Sequence, residues 1–298
     1  MLLNRSLSNS SGAVLLSNTN KNKYIQLGIL LGVAIIIYIP IVLGLFETWY
    51  TDANYSHGFL IPVLSGYLIY DRRKALSGIS LSSNYNGLII LCSGLMLYIF
   101  GTAASEYFSV RLSLIVVLTG IVIFILGTRF FKNIWFPMTF LFFMVPLPYI
   151  IYYKITFPLQ LLSTQIAATI LKSVGIPLIL QGNIIHLQNY SLEVVEACSG
   201  LRSLMTLSAL SAAIAYVYLQ RFLSGILLII LTPPIAILAN TGRIIMSAIV
   251  AIAFSPNLAK GIFHDISGLV IFLIGLILVS LCAIILKRIQ IGKTNEEL

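Results

Sequence analysis

Charge is the scarcest property of this chain. Only 9% of its 298 residues are Asp, Glu, Lys or Arg, while 59% are hydrophobic and the mean hydropathy is +1.01. A soluble domain has no use for that much apolar surface, so a soluble globular fold is excluded. Acidic residues are the scarcer half, nine against eighteen basic, which leaves a net charge of +9. In a chain this apolar, the excess is a loop bias facing anionic lipid headgroups, not a nucleic-acid surface. Cysteine is also sparse. Cys92, Cys198 and Cys282 make no disulfide set, and no CxxC or Cys/His spacing suggests zinc. No metal or cofactor is expected. No apolar signal-peptide core follows within the first 20 residues, and no internal repeat is evident.

What the chain does have is long apolar runs. Runs of about 18 or more apolar residues read as membrane helices. The expected architecture is an all-α polytopic membrane protein with about eight spans, near 24–46, 54–70, 87–104, 110–127, 134–150, 200–219, 222–240 and 264–286. Residues 1–23, rich in Ser and Asn, read as a disordered cytoplasmic tail. Residues 24–288 form the membrane domain and 289–298 a second cytoplasmic tail. No sizeable soluble domain is expected after the last span. Trp49, Tyr50 and Tyr55 are expected to anchor the outer end of span two. Cys92 and Cys282 lie within apolar runs and read as packing residues.

Two segments between spans five and six break the pattern. Residues 155–174 place Gln160, Ser163 and Thr164 near one side, which predicts an amphipathic helix in the membrane interface. Gly175 and Pro177 end it. Residues 178–197 have β character, with Asn183, Gln188 and Asn189 as turn material. An open strand cannot leave its backbone unpaired in lipid, so this short β-like segment must lie outside the bilayer or against the protein.

Loop charges orient the spans. With the N-terminus inside, twelve basic residues fall on inner loops and six on the outer side. Both termini are then cytoplasmic. The β-like segment, Cys198, Arg243 and His264 fall at the outer face. Span six begins at Cys198, span seven ends near Asn240 with Arg243 just beyond, and span eight begins at His264.

These three residue types fit one chemistry. A thiol at a helix start, with Arg202 one turn on, is favoured to ionise, and the thiolate is the nucleophile. A histidine moves protons, and a guanidinium holds an oxyanion or a carboxylate. Each also has a plainer reading: a buried thiol, a snorkelling arginine, an interfacial histidine. Glu196 is placed to hold Arg202 by a salt bridge. Gly200 allows close backbone approach, and Ser199 suits a cap. His57 shares the outer level, as a supporting donor, a substrate contact or an alternative base. Asn240 opens the arginine run and joins the supporting set. His186, in the β-like stretch, reads as structural. Asp265 follows His264 directly, and consecutive helix residues do not face each other, so it is not the histidine's orienter.

The runs Glu196-Ala197-Cys198-Ser199-Gly200-Leu201-Arg202, Ala239-Asn240-Thr241-Gly242-Arg243-Ile244 and His264-Asp265-Ile266-Ser267-Gly268 resemble those of the exosortases. These are membrane-embedded sorting enzymes for proteins with PEP-CTERM tails. Tyr55-Ser56-His57-Gly58, Ile61-Pro62 and Pro146-Leu147-Pro148 also look like family features. The resemblance covers most of residues 50–286. It implies Cys198 as nucleophile, with Arg243 and His264 essential. The related archaeosortases tend to carry arginine where this chain has His264, which favours the bacterial branch. The implied partners are membrane-tethered protein substrates ending in a Pro-Glu-Pro-like motif, an apolar helix and a basic end. Membrane lipids are partners and nucleic acid is not. The implied location is the inner membrane, with the site at its outer face. Competing readings are a non-enzymatic protein that binds or transports anionic lipid or polysaccharide intermediates, and an assembly factor for polysaccharide export.

The charge asymmetry makes a direct prediction. Reporter fusions after Asp71, Lys132 and Arg288 should report cytoplasm, and fusions near Glu106 and Asn189 the outside. A cytoplasmic signal at Asn189 would reverse the orientation.

Overall fold

The computed structural model describes residues 3–188, 190–194, 201–219, 221–254 and 262–296. The chain forms two compact units, residues 1–146 and 147–298.

The first unit is helical. Helix α1 (Leu3–Thr51) leads through a 3₁₀ segment (Ala53–Phe59) to α2 (Leu60–Asp71) and the short α3 (Arg73–Ser77). Then follow α4 (Asn86–Ala103), α5 (Tyr107–Leu126), α6 (Thr128–Phe140) and a 3₁₀ turn (Leu141–Met144). Helix α1 includes residues 3–23, where a disordered tail was expected, and its membrane-length apolar part begins at Asn22.

Glycines set the closest packing here. Gly87, Gly94 and Gly101 recur every seventh residue along one face of α4 and lie against α5, while Gly120 of α5 meets Leu91 of α4. A Cβ at any of these would strike the partner helix, so small residues bring the backbones together as in other membrane helix pairs. Polar side chains in this unit find partners across helices. Tyr38 and Ser113 hydroxyls share a bond of 2.8 Å, and Arg111 donates to Thr48 Oγ1 (2.8 Å). In hydrocarbon such groups must be satisfied within the protein. The glycine face leaves Cys92 on the other side of α4, where it is exposed, so its expected core position is corrected.

The second unit begins with α7 (Tyr149–Ser173). A three-stranded antiparallel sheet follows, of order β1 (Leu178–Gln181), β2 (Ile184–Leu187) and β3 (Tyr190–Glu193). Gly182, at φ 61°, supplies the conformation that the two-residue turn between β1 and β2 requires. Then come α8 (Leu201–Tyr218), α9 (Phe222–Ala253) and α10 (Ile262–Glu296). Ala215, Leu228, Ile235, Val279 and Ala283 form the core between these three helices, with Cys282 packed against it as expected.

Helix α7 is amphipathic, as its sequence predicts, but its polar side faces inward. Thr156, Gln160, Ser163 and Thr164 are buried, while Ile151, Ile155, Phe157 and Leu162 are exposed. A helix lying in the interface would turn its polar side to water. This one turns it to the protein and offers the apolar side outward, as a lipid-facing helix does. The interfacial expectation is corrected accordingly.

Among the described residues, five helices are long and apolar enough to cross a membrane: Asn22–Thr51, Asn86–Ala103, Tyr107–Leu126, Phe222–Ala253 and Ile266–Gln290. The count is six if the helices flanking Pro146-Leu147-Pro148 make one broken span. The chain is thus a multi-pass, all-α membrane protein, but the expected eight spans are not reproduced. Residues 54–70 divide into a 3₁₀ segment and α2, whose 12 residues reach only about 18 Å. Residues 134–150 break at the prolines. Helix α8 forms as expected but carries Arg202 and several hydroxyl residues.

Candidate functional site

The chain leading toward Cys198 is fastened at Val194. Val194 donates its N–H to the Asn183 carbonyl (2.9 Å), and its own carbonyl accepts from Asn183 Nδ2 (3.1 Å) and from Gln160 Nε2 of α7. Two donors occupy both lone pairs of that oxygen. Residues 195–200, which include Glu196, Cys198 and Gly200, lie outside the described residues. Cys198 is four residues past Val194 in the sequence.

The same valine packs beside the arginine's helix. Val194 belongs to one buried cluster with Ala167 and Ala168 of α7, Ile185 of β2 and Ile244 of α9. Ile244 directly follows Arg243. Tyr190 of β3 packs on Val250 and Ala251 of α9. The sheet is therefore seated on α7 and the later part of α9. Its register is reinforced by His186, whose ring nitrogens pair with Ser191 Oγ (2.8 Å) and Gln181 Oε1 (3.3 Å). His186 thus bonds within the sheet.

Arg243 does not sit beyond a helix end. Helix α9 continues to Ala253, so span seven is longer than the expected 222–240. Arg243 lies about 32 Å along it from Phe222, close to one hydrocarbon thickness. Its guanidinium rests on α10 at Gly268, where an added Cβ would stand 3.2 Å from Nη2 and 3.4 Å from Cζ. Gly268 is one helical turn from His264, and positions four apart share a helix face. The HxxxG spacing thus has a physical content: the glycine leaves room for the arginine one turn below the histidine position. His264 is the third residue of α10, matching the expected start of span eight.

The supporting residues divide. Arg202 is exposed in the first turn of α8. Asn240 is buried on α9, one turn before Arg243, and its Nδ2 has no hydrogen-bond partner among the described residues. His57 belongs to the first unit. It is buried in the 3₁₀ segment beside Gly58, whose α-carbon lies under the Trp49 indole. Trp49 and Tyr55 are buried rather than displayed as anchors, and Trp49 Nε1 donates to the Met144 carbonyl (2.9 Å). Tyr50 remains exposed.

Two features escaped the sequence reading. One is the Gln160–Asn183 clamp, signalled only by a glutamine inside an apolar helix. The other is Ser247, buried on α9 one turn beyond Arg243, with no partner for its hydroxyl among the described residues. Its signal is the spacing of four from Arg243. Among the described residues, no group of three or more His, Cys, Asp or Glu is placed to hold a metal.

The family profile described as transmembrane exosortase (Exosortase_EpsH) matches residues 49–281, most of the chain. No curated protein and no solved structure matched.

The clamp can be tested by itself. Gln160→Leu keeps the bulk but removes one donor to Val194, a loss of about 1 kcal/mol. Backbone amides of residues 190–194 should then exchange with deuterium several-fold faster. Unchanged exchange would show that Gln160 does not hold the strand end.

Proposed function

This chain belongs to the transmembrane exosortase family, a family of membrane-embedded sorting and processing proteins, and from that premise we propose that it is a cysteine transpeptidase acting on exported proteins with a C-terminal PEP-CTERM-like tail. The observation that supports the reading is how the segments flanking the Cys198, Arg243 and His264 runs pack in the second unit. Val194, four residues before Cys198, shares a buried cluster with Ile244, and the neighbouring Arg243 lies on Gly268, one turn from His264. The strand end before the thiol run and the histidine's helix thus both pack against the helix that carries Arg243.

The chemistry follows from the residue types. The Cys198 thiolate attacks the carbonyl carbon of the peptide bond beside the motif. The S–C bond forms, and the carbonyl electrons move onto oxygen. Arg243 stabilises that oxyanion with a fixed positive charge. When the carbonyl re-forms, the C–N bond breaks, and His264 delivers the thiol's proton to the leaving amine. The tail departs and a thioester remains on Cys198. Water or an amine then takes the acyl group and returns the thiol. Arg202, Glu196, His57 and Asn240 serve as supporting or substrate-binding groups. A tail with an apolar helix and a basic end, held with its base in the cytoplasm, presents its motif at the outer membrane level, and the reading requires Cys198 on that side.

Substitutions at Cys198 and Arg243 test the roles. Cys198→Ala and Cys198→Ser should abolish tail processing while the protein still accumulates in the membrane, since an alcohol is far less ionised than a thiol. Cys92→Ala and Cys282→Ala should stay active. Processing by Cys198→Ala at the normal rate would end the covalent mechanism.

Arg243→Lys should fail almost as badly as Arg243→Ala, with roughly 10²–10³ lost in turnover. Lysine keeps the charge but not the planar fork. A merely snorkelling arginine would be replaced by lysine without loss. Uncut precursor on a processing blot separates the two.

A further inference from the structure

We infer that Ser247 is a further catalytic residue, a hydroxyl donor to the substrate carbonyl oxygen beside the Arg243 guanidinium; the inference rests on the acyl-transfer reading above. The first support is what this hydroxyl does not do. Serine and threonine in a membrane helix satisfy themselves by donating to the carbonyl four residues back. Thr156, Thr232, Thr241 and Ser280 all do so, at 2.6–2.9 Å. Two of these lie on the same helix as Ser247. Ser247 is only 5% exposed, yet its Oγ has no partner among the described residues, not even the Arg243 carbonyl. A buried polar group left open in this way calls for a specific cause, and a substrate acceptor is one that supplies it.

The second support is its level in the three-helix bundle. Gly275 of α10 meets both Leu207 of α8 and Ala239 of α9, which fixes one common layer. From that layer toward the outer end, α9 climbs about 12 Å to Ser247 and α10 about 10 Å to Gly268. Helix α8 climbs about 9 Å to Leu201, its first residue. The Arg243 guanidinium, resting on Gly268, therefore stands at the level of Ser247, and both lie at the end of the bundle where α8 begins. Asn240, only one residue past the layer, sits about 10 Å deeper. Of the two buried unpartnered groups on this stretch of α9, Ser247 is the one at guanidinium height.

The pair makes chemical sense. Positions four apart share a helix face, so hydroxyl and guanidinium serve one ligand. The acceptor they suit is a carbonyl oxygen that gains negative charge as the Cys198 S–C bond forms. Ser247 makes and breaks no covalent bond in this step. Its O–H donates throughout, and the proton of the leaving amine still comes from His264.

The test uses the full-length protein in its membrane. Its substrate is a precursor ending in a Pro-Glu-Pro motif, an apolar helix and a basic end. Ser247→Ala should lower kcat by about 10²-fold with KM changed little, the signature of a lost oxyanion donor. Its unfolding midpoint should be equal to or above wild type, because an unpartnered buried hydroxyl contributes nothing to stability. Ser280→Ala, which loses an ordinary helix hydroxyl, should process normally. A Ser247→Ala enzyme at the wild-type rate overturns the inference while leaving the acyl-transfer reading intact, provided Cys198→Ala is inactive. A lowered unfolding midpoint with kcat unchanged would assign Ser247 to packing and also overturn it. Normal processing by Cys198→Ala removes the reading itself, and this inference with it.

Discussion

A guanidinium on an apolar helix must be given something to do, because lipid gives it nothing. Burying a guanidinium among apolar side chains costs free energy, most at the centre of a span and less toward its ends. Here Arg243 lies on a 32-residue apolar helix, and the second unit is arranged around that fact. Gly268 leaves room for the guanidinium on α10. Ile244 anchors the next residue under the sheet, and Ser247 leaves an open hydroxyl one turn on. The arginine stands about one hydrocarbon thickness from the start of its helix.

The small sheet matters for the same reason. Three short strands would be marginal by themselves. Their inner face, with Ile185 fully buried, is closed by α7 and α9. The polar side of α7 faces inward, and from it Gln160 reaches the Val194 carbonyl. The clamp fixes the chain just before the cysteine run, and the cluster ties it to the arginine's helix. Apolar packing and two side-chain hydrogen bonds thus hold together what the sequence separates by about fifty residues.

Much of this was legible in the sequence, and the failures have physical causes. The arginine and histidine runs stood out because polar residues in apolar surroundings are costly. The β character of residues 178–197 was legible from its isoleucines, leucines and valines with Asn183 as turn material, but the pairing into two hairpins was not. Asn240-Thr241-Gly242 read as a helix end, as it would in water. In this bundle Thr241 returns its hydroxyl to the Ile237 carbonyl and Asn240 is buried, so the helix runs on. Trp49 read as a belt residue, yet the bare α-carbon of Gly58 lets the indole pack inside. The direction of the polar face of α7 was not legible, because amphipathicity shows that two faces differ and not which one meets protein. Ser247 went unread because a single serine in a membrane helix is ordinary until its i−4 carbonyl is seen to go unused.

The central claim is that Cys198 forms a covalent acyl link to the processed protein at this meeting point. The most direct measurement is mass spectrometry of the enzyme isolated during turnover of a tail-bearing precursor. The account predicts an adduct on the peptide containing Cys198, of the mass of the trimmed substrate, released by hydroxylamine as a thioester and missing from Cys198→Ala. Processing that proceeds with no such adduct, or with the adduct on another residue, would contradict it.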